Sequence, residues 1–178
     1  MTELTLEQVR EAFYAEFRSV PFHQRLGIRL DRGDDGEARM TLPARPELEG
    51  EPGEHSPAAV YTLADAAASI QVCEEAAKRA LELGMGAIFF TVSGRFREHG
   101  PARGTIEGRA ELVEGLAEAT GESGASRKAS VDVLARISDE AGSPVAEHRT
   151  TFYVRFMELS RMRDMYRPTS EFVRLLGS

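Results

Sequence analysis

The chain has 178 residues, of which 42% are hydrophobic and 29% are charged, proportions typical of a globular domain with a buried core. A formal net charge of -7 disfavours binding to nucleic acid or to an anionic membrane surface, and no apolar run reaches the roughly 20 residues of a membrane span. The lone cysteine, Cys73, excludes an internal disulfide. We expect one cytoplasmic domain over residues 1–178, with neither nucleic acid nor membrane as a partner.

The first part of the chain predicts one helix and two strands. Apolar residues recur at helical spacing over residues 5–19, and Thr5 is a suitable N-cap. Residues 26–32 and 37–42 alternate as strands do, around the turn GDDG. Residues 43–55, rich in Pro, Gly and Glu, predict a loop.

A long helix is predicted next, from Ser56 as N-cap and Pro57 at the first helical position to a stop at Gly84. Four further strands are predicted, separated by turn-like segments: 87–97, 104–114, 126–138 and 144–156. Residues 157–178 predict a C-terminal extension with a short helix at 171–176.

The order of these elements predicts the fold class. Strands of this length joined by hairpin turns form one antiparallel sheet. The long helix is nearly apolar all round, so the sheet and a partner subunit must enclose it. The prediction is an α+β domain whose core spans about 22–156, with the sheet wrapped around one long helix.

Asp65 is the candidate functional residue of this helix. It is the only charged residue between Pro57 and Cys73, and its neighbours three and four positions away are small or polar: Tyr61, Thr62, Ala68 and Ser69. A solvated aspartate, or one that accepts a hydrogen bond from Thr62 or Ser69, would also explain the pattern. Aspartate is, however, a poor helix former, and its burial is costly without a partner or a role.

The string LADAAAS at 63–69, within this order of elements, resembles the hotdog-fold acyl-CoA thioesterases, especially the phenylacetyl-CoA thioesterase type. Residues 92–114, VSGRFREHGPARGTIEGRAELVE, are similar to the third and fourth strands of that family. Residues 126–156 resemble its last hairpin, and the match covers roughly 22–156. In the family a sheet wraps a central helix that carries a catalytic Asp in a Leu-x-Asp context.

The resemblance implies site residues around Asp65, as general base or nucleophile, with Tyr61, Thr62, Ala68 and Ser69 facing the substrate. The His-Gly-Gly motif that opens the family's helix, and supplies a backbone N–H to the thioester carbonyl, aligns with Ser56, Pro57 and Ala58. His55 lies one position early, and an Asn of the family falls at Gly50. Since Pro57 has no N–H, an oxyanion donor is expected from Ala58, Ser56 or His55.

The resemblance also implies a site for the phosphates of coenzyme A near Ser126, Arg127 and Lys128, whose side chains offer suitable donors. An ordinary strand end is the alternative there. Arg103, in the turn EHGPARG, could meet a phosphate together with His99, although charged turn residues are usually solvated. His23 and His148 have no partners at metal-ligand spacing, so no metal is expected.

The leading hypothesis is hydrolysis of an acyl-CoA thioester by a homodimer or a dimer of dimers, with coenzyme A present only as part of the substrate. A non-catalytic acyl-CoA or acyl-chain binding protein of the same fold is the alternative, favoured by Gly50, Ser56 and Pro57. A dehydratase of this fold would need an Asp/His pair near the helix, for which the sequence suggests only His55.

Overall fold

The structure is a computed structural model, and it describes residues 5–33, 36–114, 116 and 126–158. Its elements in chain order are α1 (Leu6–Ser19), α2 (Pro21–Leu26), β1 (Arg29–Arg32), β2 (Ala38–Leu42), a 3-10 turn (Pro46–Leu48), β3 (Glu49–Glu51), β4 (Glu54–His55), α3 (Pro57–Leu83), β5 (Gly86–Glu98), β6 (Ile106–Glu114), β7 (Ser126–Asp139) and β8 (Pro144–Met157). The helix predicted at 171–176 lies outside the described residues, as does most of the predicted C-terminal extension.

Six strands form one antiparallel sheet in the order β1-β2-β6-β7-β8-β5. The long hairpin β7–β8 lies towards one side of the sheet, and β5 pairs with the outer edge of β8. A bulge between Thr91 and Ser93 shifts the register of β5 against β8. No strand among the described residues pairs with the second edge of β5, so this strand of 13 residues is one margin of the sheet.

Helix α3 lies across the inner face of the sheet and is the centre of the core. It contacts five of the six strands, and Leu63, Ala64 and Ala68 are fully buried. Gly108 of β6 allows the close approach, because a Cβ there would lie 3.3 Å from Leu63 Cγ and 3.4 Å from the Ala67 Cβ. The predicted fold class, an antiparallel sheet wrapped around one long helix, is confirmed.

The ends of α3 are those that the sequence predicts. The Ser56 side chain accepts a hydrogen bond from the Ala59 N–H, Pro57 occupies the first turn, and Gly84 ends the helix in the left-handed region at φ 62°. α1 also begins as predicted, with a capping box between Thr5 and Gln8.

Two predictions of local structure are wrong. The strand predicted over residues 26–32 starts too early, because residues 21–26 form the short helix α2: Pro21 suits the first turn of a helix, and Gly27 ends it at φ 76°. β1 therefore begins only at Arg29. The predicted loop 43–55 contains the small hairpin β3–β4, whose short strands carry no apolar alternation that would reveal them.

α1 closes one side of α3 through a polar contact. The Tyr14 hydroxyl donates a hydrogen bond to the Glu74 carboxylate, and Arg10 lies 3.8 Å from the same carboxylate. Burial and this hydrogen bond raise the pKa of Tyr14 far above its usual value, so the phenol stays protonated. The contact ties the N-terminal helix to the second half of α3.

Candidate functional site

The N-terminal half of α3 leaves one stripe of its surface outside the core. The residues of this stripe, which recur every three or four positions, are Ala58, Tyr61, Thr62, Asp65 and Ser69. Asp65 is the one carboxylate among them, and 38% of its side chain is exposed. The stripe lies next to β5, the edge strand of the sheet, since Tyr61 packs edge-on against Phe96 with ring centroids 5.5 Å apart.

His148 lies directly beneath Asp65. It comes from β8, and its Nε2 is 3.7 Å from Asp65 Oδ1. The residue is 1% exposed, and neither ring nitrogen has a hydrogen-bond partner among the described residues. The structure thus supplies a second histidine beside Asp65, and the expectation that only His55 could form an Asp/His pair is wrong.

The imidazole of His148 is enclosed by aromatic rings and by a glycine. Tyr61 contacts it edge-on at 4.9 Å between ring centroids, and Phe96, its cross-strand partner on β5, lies at 6.1 Å. A Cβ on Gly94 would come within 2.8 Å of His148 Cε1, a separation that real Cβ atoms do not adopt. β5 therefore needs glycine at this position to accommodate the ring.

A further histidine lies near Asp65 on the other side. His23 of α2 stacks on Phe17 with ring centroids 4.2 Å apart. Burial lowers the pKa of His23, while a hydrogen bond to the Phe17 carbonyl and the charge of Asp65 partly oppose that shift. The carboxylate of Asp65 thus lies within electrostatic reach of α2 as well as of β8.

The start of α3 offers one unpaired backbone donor. The N–H groups of Ala59 and Val60 bond to the carbonyl of Ser56, and Pro57 has none to offer. The Ala58 N–H has no acceptor among the described residues, and Ala58 is exposed. This amide lies at the positive end of the helix dipole, where an anionic oxygen is stabilised.

Two departures from the resembled family pack against each other. A Cβ on Gly50 would lie 3.1 Å from Ser56 Cα and 3.7 Å from Pro57 Cδ. An asparagine at Gly50 would therefore press on the backbone that enters α3. The adjacent His55 is buried, and its Nε2 is 2.8 Å from the Gly104 carbonyl oxygen, so its imidazole is held by the β5–β6 turn.

The residues predicted to face the substrate separate into two groups. Tyr61, Thr62 and Ser69 belong to the open stripe, although the Thr62 hydroxyl donates to the Ala58 carbonyl at 2.8 Å rather than to Asp65. Ala68 is fully buried against the sheet and does not face the opening.

The residues predicted to bind coenzyme A are not brought together with Asp65 in one chain. Arg127 pairs with Phe156, eight positions from His148 along β8, which corresponds to about 26 Å along an extended strand. Arg127 and Lys128 are exposed, and as successive strand residues they point to opposite faces of the sheet. The side chain of Ser126 lies outside the described residues.

Arg103 is engaged locally instead. Its Nε lies 3.0 Å from a carboxylate oxygen of Glu54, and both residues belong to the neighbourhood of the α3 N-terminus. A groove runs past this end of the helix between β4 and the turn after β5, and its lining includes Glu51, Glu54 and Glu98. Three carboxylates make this groove unfavourable for the phosphates of a nucleotide.

No three His, Cys, Asp or Glu side chains of residues 5–33, 36–114, 116 and 126–158 lie together as metal ligands would. No helix within those ranges has both the length and the apolar character needed to cross a bilayer.

Comparison with solved structures identifies the fold as the hotdog fold. A Shewanella oneidensis protein related to the thioesterase superfamily superposes with a TM-score of 0.64 at 16% identity, over 85% of this chain and 98% of its own. A Pseudomonas aeruginosa protein described as a probable thioesterase gives a TM-score of 0.61 at 22% identity, over 87% and 98% of the two chains.

A Bacillus halodurans protein that was solved with CoA gives a TM-score of 0.57 at 19% identity, over 84% of this chain and 89% of that one. No protein-family model matches the chain. No curated protein matches it in sequence. The resemblance to the phenylacetyl-CoA type stays a prediction.

Sequence reasoning missed Gly94, Phe96 and His148 as parts of the site. A signal for His148 was present in the strand VAEHRTTFYVRF, where alternation places it on the same face as Thr150 and Phe152. A histidine on the apolar face of a strand has to be buried against something. Only the packing of α3 on the sheet shows that the residue next to His148 is Asp65.

Proposed function

We propose that the protein hydrolyses an acyl-CoA thioester with Asp65 as general base or nucleophile. The observation that carries this function is Asp65, a partly exposed carboxylate in the otherwise uncharged segment 57–73 of α3, which lies next to β5, the edge strand of a hotdog sheet. A carboxylate in such surroundings is weakly solvated and can activate a water molecule or attack a thioester carbonyl directly.

The oxyanion formed in that attack needs a donor, and the Ala58 N–H is the best candidate on α3. Ala58 and Asp65 lie two helical turns apart on the same stripe, which is about 10 Å along the axis. One reacting carbonyl cannot lie within bonding distance of both groups of one helix. A working site therefore combines Asp65 of one subunit with Ala58 of its partner, and a homodimer is part of the proposed function.

Hydrolysis is tested by following free thiol release from a panel of aromatic and aliphatic acyl-CoA thioesters. We expect Asp65→Asn to lower kcat/KM at least 100-fold, since the amide can neither accept the proton of water nor attack. The matched control is Asp132→Asn, which changes a partly exposed carboxylate of β7 whose partners are Thr151 and Arg149. Equal rates for wild type and Asp65→Asn would refute the role of Asp65.

The second candidate is a non-catalytic acyl-CoA or acyl-chain binding protein. It is favoured by Pro57 and Gly50, which together remove the family's usual donor and leave no room for its asparagine. Calorimetry separates the two functions: tight binding of an acyl-CoA without release of thiol supports the binding protein. A dehydratase is not favoured, because His148 is 1% exposed and cannot reach a substrate.

A further inference from the structure

His148 is the buried ionisable group that lies beside Asp65 in the structure. Its ring belongs to the apolar face of β8, between the fully buried residues Ala146 and Thr150. A buried polar group without a hydrogen bond is unfavourable, and native structures rarely leave one unpaired without a reason. The two ring nitrogens of His148 are both unpaired among the described residues.

The geometry of the neighbours indicates which nitrogen has a partner within reach. Nε2 faces Asp65 Oδ1 at 3.7 Å, slightly beyond hydrogen-bond distance. The imidazole cannot move to close this gap, because Gly94, Tyr61 and Phe96 surround it. The Asp65 carboxylate can, because it is partly exposed and a small rotation of its side chain brings Oδ1 towards Nε2.

We propose, building on the thioesterase function above, that His148 is a positioning residue: its Nε2–H donates to Oδ1 of Asp65 and thereby directs Oδ2 towards the open stripe of α3. The proton then resides on Nε2 in the neutral ring, because a carboxylate oxygen is an acceptor only. A flexible carboxylate becomes a fixed one, with one oxygen held by the protein and the other free to act.

Two features set this role apart from simple packing. His148 does not touch the substrate, so its loss changes the orientation of Asp65 and not the binding surface. Misplacement of a reacting group by about 1 Å lowers the rate on the order of 100-fold. We therefore expect kcat to fall while KM changes little.

The first test reads the position of the proton and needs no enzymatic activity. Long-range proton–nitrogen NMR spectra of the histidine-labelled full chain distinguish the Nε2–H from the Nδ1–H form. We expect His148 to be in the Nε2–H form in the wild type and to lose this preference in Asp65→Ala. A proton on Nδ1, or the same form in both proteins, would overturn the inference.

The second test is kinetic and uses two substitutions of similar volume. His148→Leu removes the donor, and we expect it to lower kcat by about 100-fold. His148→Gln keeps an N–H donor near the same place, and we expect its kcat to be at least tenfold higher than that of His148→Leu. Thr150→Val, on the same buried face of β8, is the control and should stay within twofold of wild type.

A double-mutant cycle links the two residues. If His148 acts through Asp65, His148→Leu causes no further loss of rate in the Asp65→Asn background. An equal loss in both backgrounds, or failure of His148→Gln to exceed His148→Leu, would show a structural role and overturn the inference. If Asp65→Asn is fully active, the hydrolytic function fails, while the NMR measurement still decides whether the pair exists.

Discussion

Asp65 is set apart from the rest of α3 by what the fold places around its carboxylate. One oxygen faces a buried imidazole, while 38% of the side chain is exposed. Single residues decide this arrangement, because Gly94 makes space for the ring and Tyr61 covers it. At this scale the site depends on close packing around one partly buried charge.

Gly94→Ala is expected to destabilise the protein by about 1–3 kcal/mol, because the new methyl group would overlap His148 Cε1 and the core cannot absorb it without a shift. Urea unfolding followed by circular dichroism measures the change. Gly100→Ala is the matched control, since nothing lies within 3.9 Å of a Cβ there and no strained φ is involved. Equal midpoints for Gly94→Ala and wild type would contradict the prediction.

Glu16 and Asp132 are expected to contribute to the stability of the protein with opposite dependences on pH. Burial raises the pKa of Glu16, so the folded state binds its proton more tightly than the unfolded chain does. Its contribution to stability is therefore fully present below the unfolded pKa and is lost as the pH rises through the folded pKa. Glu16→Gln should be more stable than wild type at pH 7, and the difference should shrink towards pH 4.

The pKa of Asp132 is shifted in the opposite direction. Hydrogen bonds from Thr151 and then Arg149 lower its pKa, so its contribution to stability is present above the unfolded pKa and is lost as the pH falls through the folded pKa. Asp132→Asn should be less stable than wild type at pH 7, with a difference that narrows in acid. Denaturation of both variants from pH 4 to pH 8 tests the signs, and a common sign would refute them.

Helix α3 has two structural features that bear on the proposed site. Its flank of small residues lets the sheet wrap closely, and its first turn presents a backbone donor to the outside. Pro57 limits that donor to the Ala58 N–H, and Gly50 allows the backbone of Ser56 to pass close by. The start of the helix is thus built differently from the motif that it resembles, while Asp65 keeps its place two turns later.

The Ala58 donor can be removed without deleting a side chain. Ala58→Pro eliminates the N–H at the second helical position, where proline is tolerated because no intrahelical bond is lost. We expect kcat/KM to fall about 100- to 1,000-fold, as for the loss of an oxyanion donor in other acyl transfers. Ala58→Ser keeps the amide and should retain activity. If both variants lose activity equally, Ala58 N–H is not the donor.

At the scale of the whole molecule, β5 is the margin of the sheet on which we expect a partner subunit to pack. β5 carries two exposed apolar side chains, Phe90 at 54% and Val92 at 65% exposure. Long unpaired edge strands with such side chains tend to pair with another strand. A partner on β5 would also cover Tyr61 and Asp65, which lie beside the same strand.

Val92→Lys is therefore expected to shift the protein from dimer to monomer and to lower thioesterase activity with it, because a charge is placed where the partner strand would pack. Sedimentation velocity at several concentrations measures the assembly. Val113→Lys is the control, since Val113 is 41% exposed on β6, an inner strand of the sheet. A wild-type protein that sediments as a monomer would contradict the dimer on which the proposed site depends.

Periodicity and end signals in the sequence determined the long helix, its two ends, the antiparallel strands and the position of Asp65, because these depend on local patterns that each element carries within itself. Helix α2 and the hairpin β3–β4 were not predicted, because elements of six residues or fewer are too short to show a clear hydrophobic periodicity. The pairing of His148 with Asp65 and the space that Gly94 makes for the His148 ring join residues far apart in the chain. Only the packing of α3 against the sheet decides such contacts, because nothing in either segment alone specifies what will lie opposite it.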